Sequence, residues 1–327
     1  MHARFALRLG LTALTSAALL VATAAASAQD YPSQPIRMIA PFTPGSGMDT
    51  YARIIAKKMT ELYKQQVVVD NRGGAGSVIG TDLAAKAPAN GYTILYTGSA
   101  HPINAAFRRN LPYDSVRDFT PVVLFTEFPW YLVAYPSFAA SSVPELLALA
   151  RAKPGQVNYA SSAVGSGPHL AGEMFRSYAK VDIVHIGYKG TAEATIAVLG
   201  GAVPLIFVGP TIMQTVKAGK LKALGVTSAK RSPAWPEVPT IQEGGVPNYH
   251  FTQWHGILVP RGTPKKAIDR LYEAVTLTLR DPEVIKTLQA DGAEARGDGP
   301  EPFRVFLERE FEKDRQLARA MGGFKFD

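Results

Sequence analysis

The chain has 327 residues, a formal net charge of +8 at pH 7, 46% hydrophobic residues and no cysteine. The lack of cysteine excludes disulfides, thiol nucleophiles, thiolate metal sites and a lipid anchor on cysteine. The basic residues are scattered and form no stripe with aromatic residues, which argues against a nucleic-acid-binding protein and leaves only a mild preference for anionic solutes.

The first 28 residues have the pattern of a secretory signal. Arg4 and Arg8 precede an uncharged apolar stretch from Leu9 to about Ala25, and Ala26-Ser27-Ala28 fits a cleavage site before Gln29. A membrane anchor is the alternative, but the apolar core is short and ends in a cleavable triplet. Removing 28 residues from 327 leaves 299, which is enough for two domains of about 150 residues. Loss of the two arginines lowers the charge from +8 to +6. The signal predicts a soluble protein outside the cytoplasm.

Strand-like and helical patterns alternate along the rest of the chain. The predicted strands cover residues 36–40, 67–69, 92–97, 122–125, 130–134, 157–161, 183–186, 205–208, 221–227 and 256–259. The predicted helices cover residues 48–63, 78–86, 143–151, 168–178, 191–199, 211–217, 264–279, 282–290 and 302–321. This alternation predicts an α/β fold with mainly parallel sheets, in which ligands bind at the carboxyl ends of the strands. We find no internal repeat in the pattern.

Three glycine-containing loops connect a predicted strand to a predicted helix: residues 44–47 (loop 1), 161–167 (loop 2) and 188–191 (loop 3). Glycine allows a ligand to approach the backbone closely, and the free N–H groups and dipole of a helix start favour an anion. Hydroxyl donors are available from Ser46, Ser162, Ser166 and Thr191. Any one of these loops alone is better explained as an ordinary helix cap or turn. Three of them at strand ends together predict an anion-binding cleft, although spacing does not name the ligand.

No catalytic motif is evident. The Gly-x-Ser-x-Gly nucleophile elbow and the Gly-Lys-Ser/Thr phosphate loop are both missing from the sequence. Ser177-Tyr178-Ala179-Lys180 matches Ser-x-x-Lys, but it falls at the end of a predicted helix without companion motifs. The histidines of the mature chain lack the i, i+4 spacing of helical metal ligands. We therefore expect neither enzymatic activity nor a metal or other cofactor.

Several segments, taken in order, resemble the periplasmic solute-binding receptors of tripartite tricarboxylate transporters, the Bug-type proteins. These segments are YPSQPIRMIAPFTPGSGMDTYAR, VVVDNRGGAGSVIG, NGYTILYTGSA, LPYDSVRDFTPV, KPGQVNYASSAVGSGPHLAGEMF, HIGYKGTAEA and AKRSPAWPEVPTIQEGG. The resemblance extends over essentially the whole mature chain. It implies a receptor that captures a small organic carboxylate in the periplasm and delivers it to the membrane subunits of a tripartite transporter. One such receptor suffices for delivery, so we expect a monomer.

The resemblance also implies the architecture. The family has the two-domain clamshell of the type II periplasmic binding proteins, with the ligand cleft between the domains. By this resemblance, domain 1 is discontinuous and covers residues 29–128 plus 253–327, while domain 2 covers residues 129–252. The hinge is expected at the two crossings between them, near Phe128-Pro129 and Phe251-Thr252.

In the family, loops 1 and 2 face each other and hold a carboxylate, largely through backbone amides and ordered water. The resemblance therefore assigns one side of the site to Phe42, Ser46, Gly47, Met48 and Asp49. It assigns the other side to Ser162, Ala163, Val164, Gly165 and Ser166, with Thr191 beside them and Ser99 on the floor.

The chain departs from the family pattern at three positions: Ser46 replaces a common glycine, Met48 a common threonine, and Val208 a frequent aspartate. An aspartate at position 208 would suit a ligand ammonium, so Val208 disfavours an amino acid. Together with Phe42, Met48 and Trp130, it favours a carboxylate with an apolar or aromatic body, and dicarboxylates stay open. A purely structural role in the core is the alternative for Val208.

Two other functions fit the pattern less well. A receptor that signals to a membrane sensor has the same sequence features as one that serves a transporter. A secreted α/β hydrolase is disfavoured by the missing nucleophile elbow.

Overall fold

The structure is a computed structural model that describes residues 31–162, 164–290 and 292–323. The predicted signal peptide and Ala163 lie outside these residues. In the described part, the strands are β1 (Ile36–Ala40), β2 (Val67–Asn71), β3 (Thr93–Gly98), β4 (Phe119–Pro129), β5 (Tyr131–Ala134), β6 (Val157–Ser161), β7 (Ile183–Gly187), β8 (Leu205–Val208), β9 (Lys222–Val226), β10 (Thr252–Pro260) and β11 (Glu294–Asp298).

The α-helices in the same ranges are α1 (Gly47–Tyr63), α2 (Val78–Ala85), α3 (Ala100–Phe107), α4 (Val143–Ala152), α5 (Gly167–Ala179), α6 (Thr191–Leu199), α7 (Met213–Lys217), α8 (Lys265–Thr278), α9 (Pro282–Ala290) and α10 (Pro300–Ala320). Short 3₁₀ helices cover Ala75–Ser77 and Pro210–Ile212. Among these helices, none combines the length and the apolar composition needed to cross a bilayer.

The strands form two sheets. The first has the order β11-β4-β10-β3-β1-β2, and the second has the order β7-β6-β8-β5-β9. Both are mixed: β1 pairs in parallel with β2 and β3, and β6 with β7 and β8. The pairs of β10 with β3 and β4, of β11 with β4, and of β5 with β8 and β9 are antiparallel. The expectation of mainly parallel sheets is therefore wrong, because β10 and β11 in the first sheet and β5 in the second run antiparallel to their neighbours.

Two crossings join the sheets, and they lie side by side. The chain leaves the first sheet at Pro129 and returns to it at Thr252, and these two residues are partners in the ladder between β4 and β10. The Trp130 N–H donates to the Thr227 hydroxyl at 2.7 Å, and the Thr227 N–H donates to the Trp130 carbonyl at 2.9 Å. The Phe251 N–H donates to the Thr227 carbonyl at 2.9 Å, so Thr227 ties both crossings together.

Apolar clusters lie against both sheets, and one cluster on the second sheet also includes Phe107 of α3 and Leu317 of α10. On α1, Tyr51, Ile55 and Met59 recur at helical spacing and are buried against the first sheet. On α5, Leu170 and Met174 are spaced by one helical turn and are buried against the second sheet. Burial of these apolar faces supplies the main driving force for folding.

The sequence patterns did not predict α3 and β11. Most of α3 is apolar and six of its eight residues are buried, so it shows no amphipathic period. β11 has the sequence EARGD, contains no large apolar residue, and pairs with β4 at the edge of the sheet. Neither element carries the hydrophobic periodicity by which helices and strands are recognised in a sequence.

The last helix brings charged groups into the interior. The Lys313 ammonium donates to both carboxylate oxygens of Glu310 at 2.7 Å, and the Trp254 indole donates to Glu310 at 3.2 Å. Asp314, on the next position of α10, is only 2% exposed. Burial raises the pKa of Asp314 to about 7, although the Lys313 ammonium opposes the shift.

This raised pKa predicts a pH-dependent stability effect of Asp314→Asn. Between the pKa of an unfolded aspartate and about 7, the folded state binds more protons, so the contribution of Asp314 to stability falls as the pH rises. We expect the stability of the variant relative to the wild type to rise by on the order of 2 kcal/mol, or a few degrees in Tm, between pH 5 and pH 8. Thermal unfolding at both pH values measures this. Asp269→Asn, on the exposed side of α8, is the matched control, and a pH-independent difference for Asp314→Asn would contradict the prediction.

Candidate functional site

Residues that follow the carboxyl ends of four strands line one cleft between the sheets. They are Phe42 and Ser46 after β1, Ser99 after β3, Ser162 after β6, and Gly209 after β8. The cleft consists of two adjoining cavities of about 330 and 390 Å³. Both are lined by Met48, Trp130, Pro168, Thr191 and Gln253, which mark the boundary between them.

We call the first cavity the apolar half. Besides the shared residues it is lined mainly by apolar and aromatic groups, namely Phe42, Tyr51, Phe128, Val208, Pro210 and His255, together with Ser46, Gly209 and Thr211. We call the second cavity the loop half, because loop 2 and the starts of α3 and α5 line it. Its further residues are Gly76, Ser77, Ser99, Ala100, Ile103, Asn104, Arg108, Ser162, Val164, Gly165, Ser166 and Gly167.

Loops 1 and 2 have the same conformation. Gly45 and Gly165 both have φ of 77°, a value that favours glycine. The next residues, Ser46 and Ser166, have φ, ψ of −70°, 160° and −71°, 159° and are the N-caps of α1 and α5. The expectation of no internal repeat is therefore incomplete, because a short Gly-Ser-Gly motif occurs at corresponding strand–helix junctions of both sheets.

The hydrogen bonds within the two loops also correspond. In loop 1, the Gly45 N–H donates to Asp49 Oδ2 at 2.8 Å and the Asp49 N–H donates to Ser46 Oγ at 3.3 Å. In loop 2, the Gly165 N–H donates to His169 Nδ1 at 3.0 Å, and the His169 N–H lies 3.5 Å from Ser166 Oγ. Each loop is a capping box in which the side chain three residues after the cap reaches back to the backbone. Two helix starts, with their positive dipole ends, are thus fixed beside the cleft.

Asp49 does not line the cleft. Its carboxylate accepts hydrogen bonds from Arg53 Nε at 2.9 Å and Asn71 Nδ2 at 2.8 Å, in addition to the Gly45 N–H. Burial acts to raise the pKa of Asp49, but these hydrogen bonds outweigh it and hold the pKa below its usual value. Through these hydrogen bonds Asp49 braces loop 1, and its expected ligand contact stays a prediction.

The other predicted residues divide between the two halves. Phe42, Ser46 and Val208 line the apolar half, while Ser99, Ser162, Val164, Gly165 and Ser166 line the loop half; Met48 and Thr191 line both. Gly47 is the first residue of α1. Ala163 lies outside the described residues. Val208 also packs in the core of the second sheet, which shows its structural role, while its contact with a ligand stays a prediction.

Sequence reasoning missed a set of residues on the floor of the cleft, chiefly Tyr51, Phe128, Gln253 and His255. The predicted strand began at residue 256, whereas β10 begins at Thr252. All nine residues of β10 are buried, so the strand shows no alternation that could reveal which side chains reach the cleft.

The two halves differ in charge. Among the described residues that line the apolar half there is no lysine, arginine, aspartate or glutamate. In the loop half, Arg108 carries a full positive charge and donates to Asn104 Oδ1 at 2.9 Å and to the Ala75 carbonyl at 2.8 Å. The arrangement therefore suits an anionic group held in the loop half by helix starts, with an uncharged body in the apolar half.

Comparison with known proteins gives consistent matches over most of the chain. The family model described as "Tripartite tricarboxylate transporter family receptor" matches residues 51–322 of this chain. Protein BugT of Bordetella pertussis is 36% identical over 299 residues, which is 90% of this chain and 92% of BugT. The structure of Rpa4515 of R. palustris with adipate has a TM-score of 0.80 and 33% identity, and the match covers 90% of this chain and 99% of that one. The structure of MatC of Rhodopseudomonas palustris with bound malate has a TM-score of 0.77 and 27% identity, over 88% and 99% of the two chains.

Proposed function

The chain belongs to the tripartite tricarboxylate transporter receptor family, and from this premise we propose that it captures a small organic carboxylate in the periplasm and delivers it to the membrane subunits of such a transporter. The family consists of periplasmic solute-binding receptors, not enzymes, and the chain has their two-domain periplasmic-binding-protein fold. The observation that carries the proposal is the pair of matching helix-start loops beside one cleft.

The proposed ligand is a dicarboxylate or an aromatic carboxylate in preference to an amino acid. Two relatives in this fold have adipate and malate bound, which supports carboxylate binding in general. An amino acid would bring an ammonium group, and no acidic side chain is among the described residues lining either half to neutralise it. Val208, Phe42 and Trp130 instead offer apolar surface to the body of the ligand.

We propose that binding is coupled to closure of two domains, residues 29–128 plus 253–327 and residues 129–252. Support comes from the strands, since the two sheets divide along the chain within one or two residues of these boundaries. Rotation about the paired crossings at Trp130 and Phe251 would move the two sheets relative to each other. Trp130 lines both halves of the cleft from this position, so closure would act directly on the ligand. The secretory segment at residues 1–28 and a monomeric state are part of the same proposal.

A thermal-shift panel tests the proposal. A ligand present at about 100 times its Kd stabilises the folded state by roughly 2.7 kcal/mol, which raises the Tm by a few degrees in a chain of this size. We expect shifts with dicarboxylates or aromatic carboxylates and none with amino acids or sugars. Shifts produced by sugars or amines, with none from any carboxylate, would contradict the proposal.

A matched pair of cap substitutions tests the role of loop 2. Ser166 caps α5 beside the cleft, and Ser142 caps α4 by accepting from the Glu145 N–H at 3.4 Å, away from the cleft. Ser166→Ala and Ser142→Ala should each lower stability by about 1 kcal/mol through loss of the cap. We expect only Ser166→Ala to weaken carboxylate binding, by roughly five- to tenfold in calorimetry, because a hydroxyl hydrogen bond to a charged group is lost. Equal affinities for the two variants would limit Ser166 to a capping role.

A further inference from the structure

His255 is a buried imidazole in the wall of the apolar half. It lies on β10, where its register partners are Gly98 on β3 and Thr126 on β4, and it is 1% exposed. Its ring centroid lies 5.5 Å from those of Tyr51 and Tyr96 and 5.4 Å from that of Phe128. Neither ring nitrogen has a hydrogen-bond partner among the described protein groups.

A buried polar group without a partner is unfavourable, so such a group in a cleft wall is suited to being completed by a ligand. Among the residues that line the apolar half, the Trp130 indole N–H is unpartnered in the same way. Gln253 differs, because its Oε1 accepts from the Ser99 hydroxyl at 2.6 Å. His255 and Trp130 are therefore two buried polar groups of the apolar half that a ligand can satisfy, and His255 is the more deeply buried.

His255 is uncharged at neutral pH. Burial lowers its pKa to about 3, so the imidazole has one N–H donor and one acceptor nitrogen. No cationic side chain is among the described residues that line this half. A second carboxylate placed there would meet only the α1 helix start capped by Ser46, and without a full counter-charge the loss of its hydration is unfavourable.

We propose that His255 selects an aromatic monocarboxylate with a neutral hydrogen-bonding group on its ring, such as a hydroxyl, a ring nitrogen or a carboxamide. This inference rests on the proposed function and narrows its ligand class, because dicarboxylates are excluded. The carboxylate lies in the loop half, the ring lies among the apolar and aromatic side chains, and the neutral group meets His255. A cavity of about 330 Å³ is of a size that holds one substituted aromatic ring.

Calorimetric titration of the mature protein with matched benzoates tests this. The probes are benzoate, the 3- and 4-hydroxybenzoates, nicotinate and isonicotinate, with isophthalate and terephthalate as dicarboxylates on the same ring. We expect at least one hydroxylated or ring-nitrogen acid to bind about tenfold more tightly than benzoate. Both dicarboxylates should bind more weakly than benzoate.

The variant His255→Leu should bring the preferred ligand to within about twofold of benzoate while benzoate itself still binds. His101→Leu is the matched control, since His101 is also 1% exposed and does not line the cleft. This control should leave the order of affinities unchanged. Circular dichroism tests whether each variant is folded. If His255→Leu does not fold, the order of ligand affinities of the wild type still tests the inference.

The binding results distinguish failure of this inference from failure of the proposed function. Tight binding of a dicarboxylate, or an unchanged ligand preference in folded His255→Leu, overturns this inference and leaves carboxylate capture intact. If none of these acids or the panel carboxylates binds, both the inference and the proposed function are overturned.

Discussion

Replacing Gly209 with leucine is expected to lower carboxylate affinity about ten- to hundredfold while the protein stays folded. Gly209 follows β8 and lines the apolar half. A Cβ at this position meets no atom within 4 Å, and its φ of −64° is accessible to any residue. The leucine side chain would therefore fit the unliganded protein but would occupy space that the ligand needs. Crowding of this kind costs about 1–3 kcal/mol of binding free energy.

Gly200→Leu is the control for this substitution. Gly200 lies at the exposed far end of α6, where an added Cβ comes no closer than 3.4 Å to the Ile196 carbonyl. Titration calorimetry should show wild-type carboxylate affinity for Gly200→Leu. Thermal unfolding should give similar melting temperatures for Gly200→Leu and Gly209→Leu. Wild-type affinity in folded Gly209→Leu would mean that the ligand does not occupy the apolar half.

Gly172→Ala is expected to lower stability by about 3 kcal/mol or more. Gly172 lies within α5 and faces β6, and an added Cβ would lie 2.1 Å from Cε2 of the Tyr159 ring. The ring has little room to move, because the Tyr159 hydroxyl donates to Glu173 Oε1 at 2.9 Å and the residue is fully buried. Overpacking and the loss of this buried hydrogen bond both act against the folded state.

Thermal unfolding of Gly172→Ala measures this effect, with Gly190→Ala as the control because nothing lies within 4 Å of a Cβ there. The double variant with Tyr159→Leu should recover part of the loss, since it removes the ring that clashes. In a helix free of contacts, alanine in place of glycine stabilises by roughly 1 kcal/mol. A stability gain of that size in Gly172→Ala would show that α5 does not pack on β6 as described.

The sequence predicts much of the secondary structure because hydrophobic periods and helix boundaries are local. β1, β6, β8 and α6 have the predicted bounds, and α9 runs from Pro282 to Ala290 as expected. Each is bounded by local signals such as a proline, a glycine or a capping residue. The family resemblance adds the two-domain fold, which periodicity alone does not specify.

Strand direction and the floor of the site depend on contacts between distant parts of the chain. The antiparallel insertion of β10 between β3 and β4 sets His255 and Gln253 beside loop 1, more than 200 residues away in the sequence. The equivalent hydrogen bonds of loops 1 and 2 are not evident from the sequence, because the fifth residue of the motif is aspartate in one and histidine in the other. Both side chains accept a hydrogen bond from the preceding glycine N–H, so their equivalence is one of geometry.

The central claim is that the helix starts beside the cleft hold a carboxylate. The most direct measurement is a calorimetric titration comparing the carboxylate that gives the largest thermal shift with its primary amide, which has the same shape and no charge. Charge-assisted hydrogen bonds and two helix dipoles should make the carboxylate bind about a hundredfold more tightly. Equal affinities for the acid and the amide would show that the loops do not form an anion site.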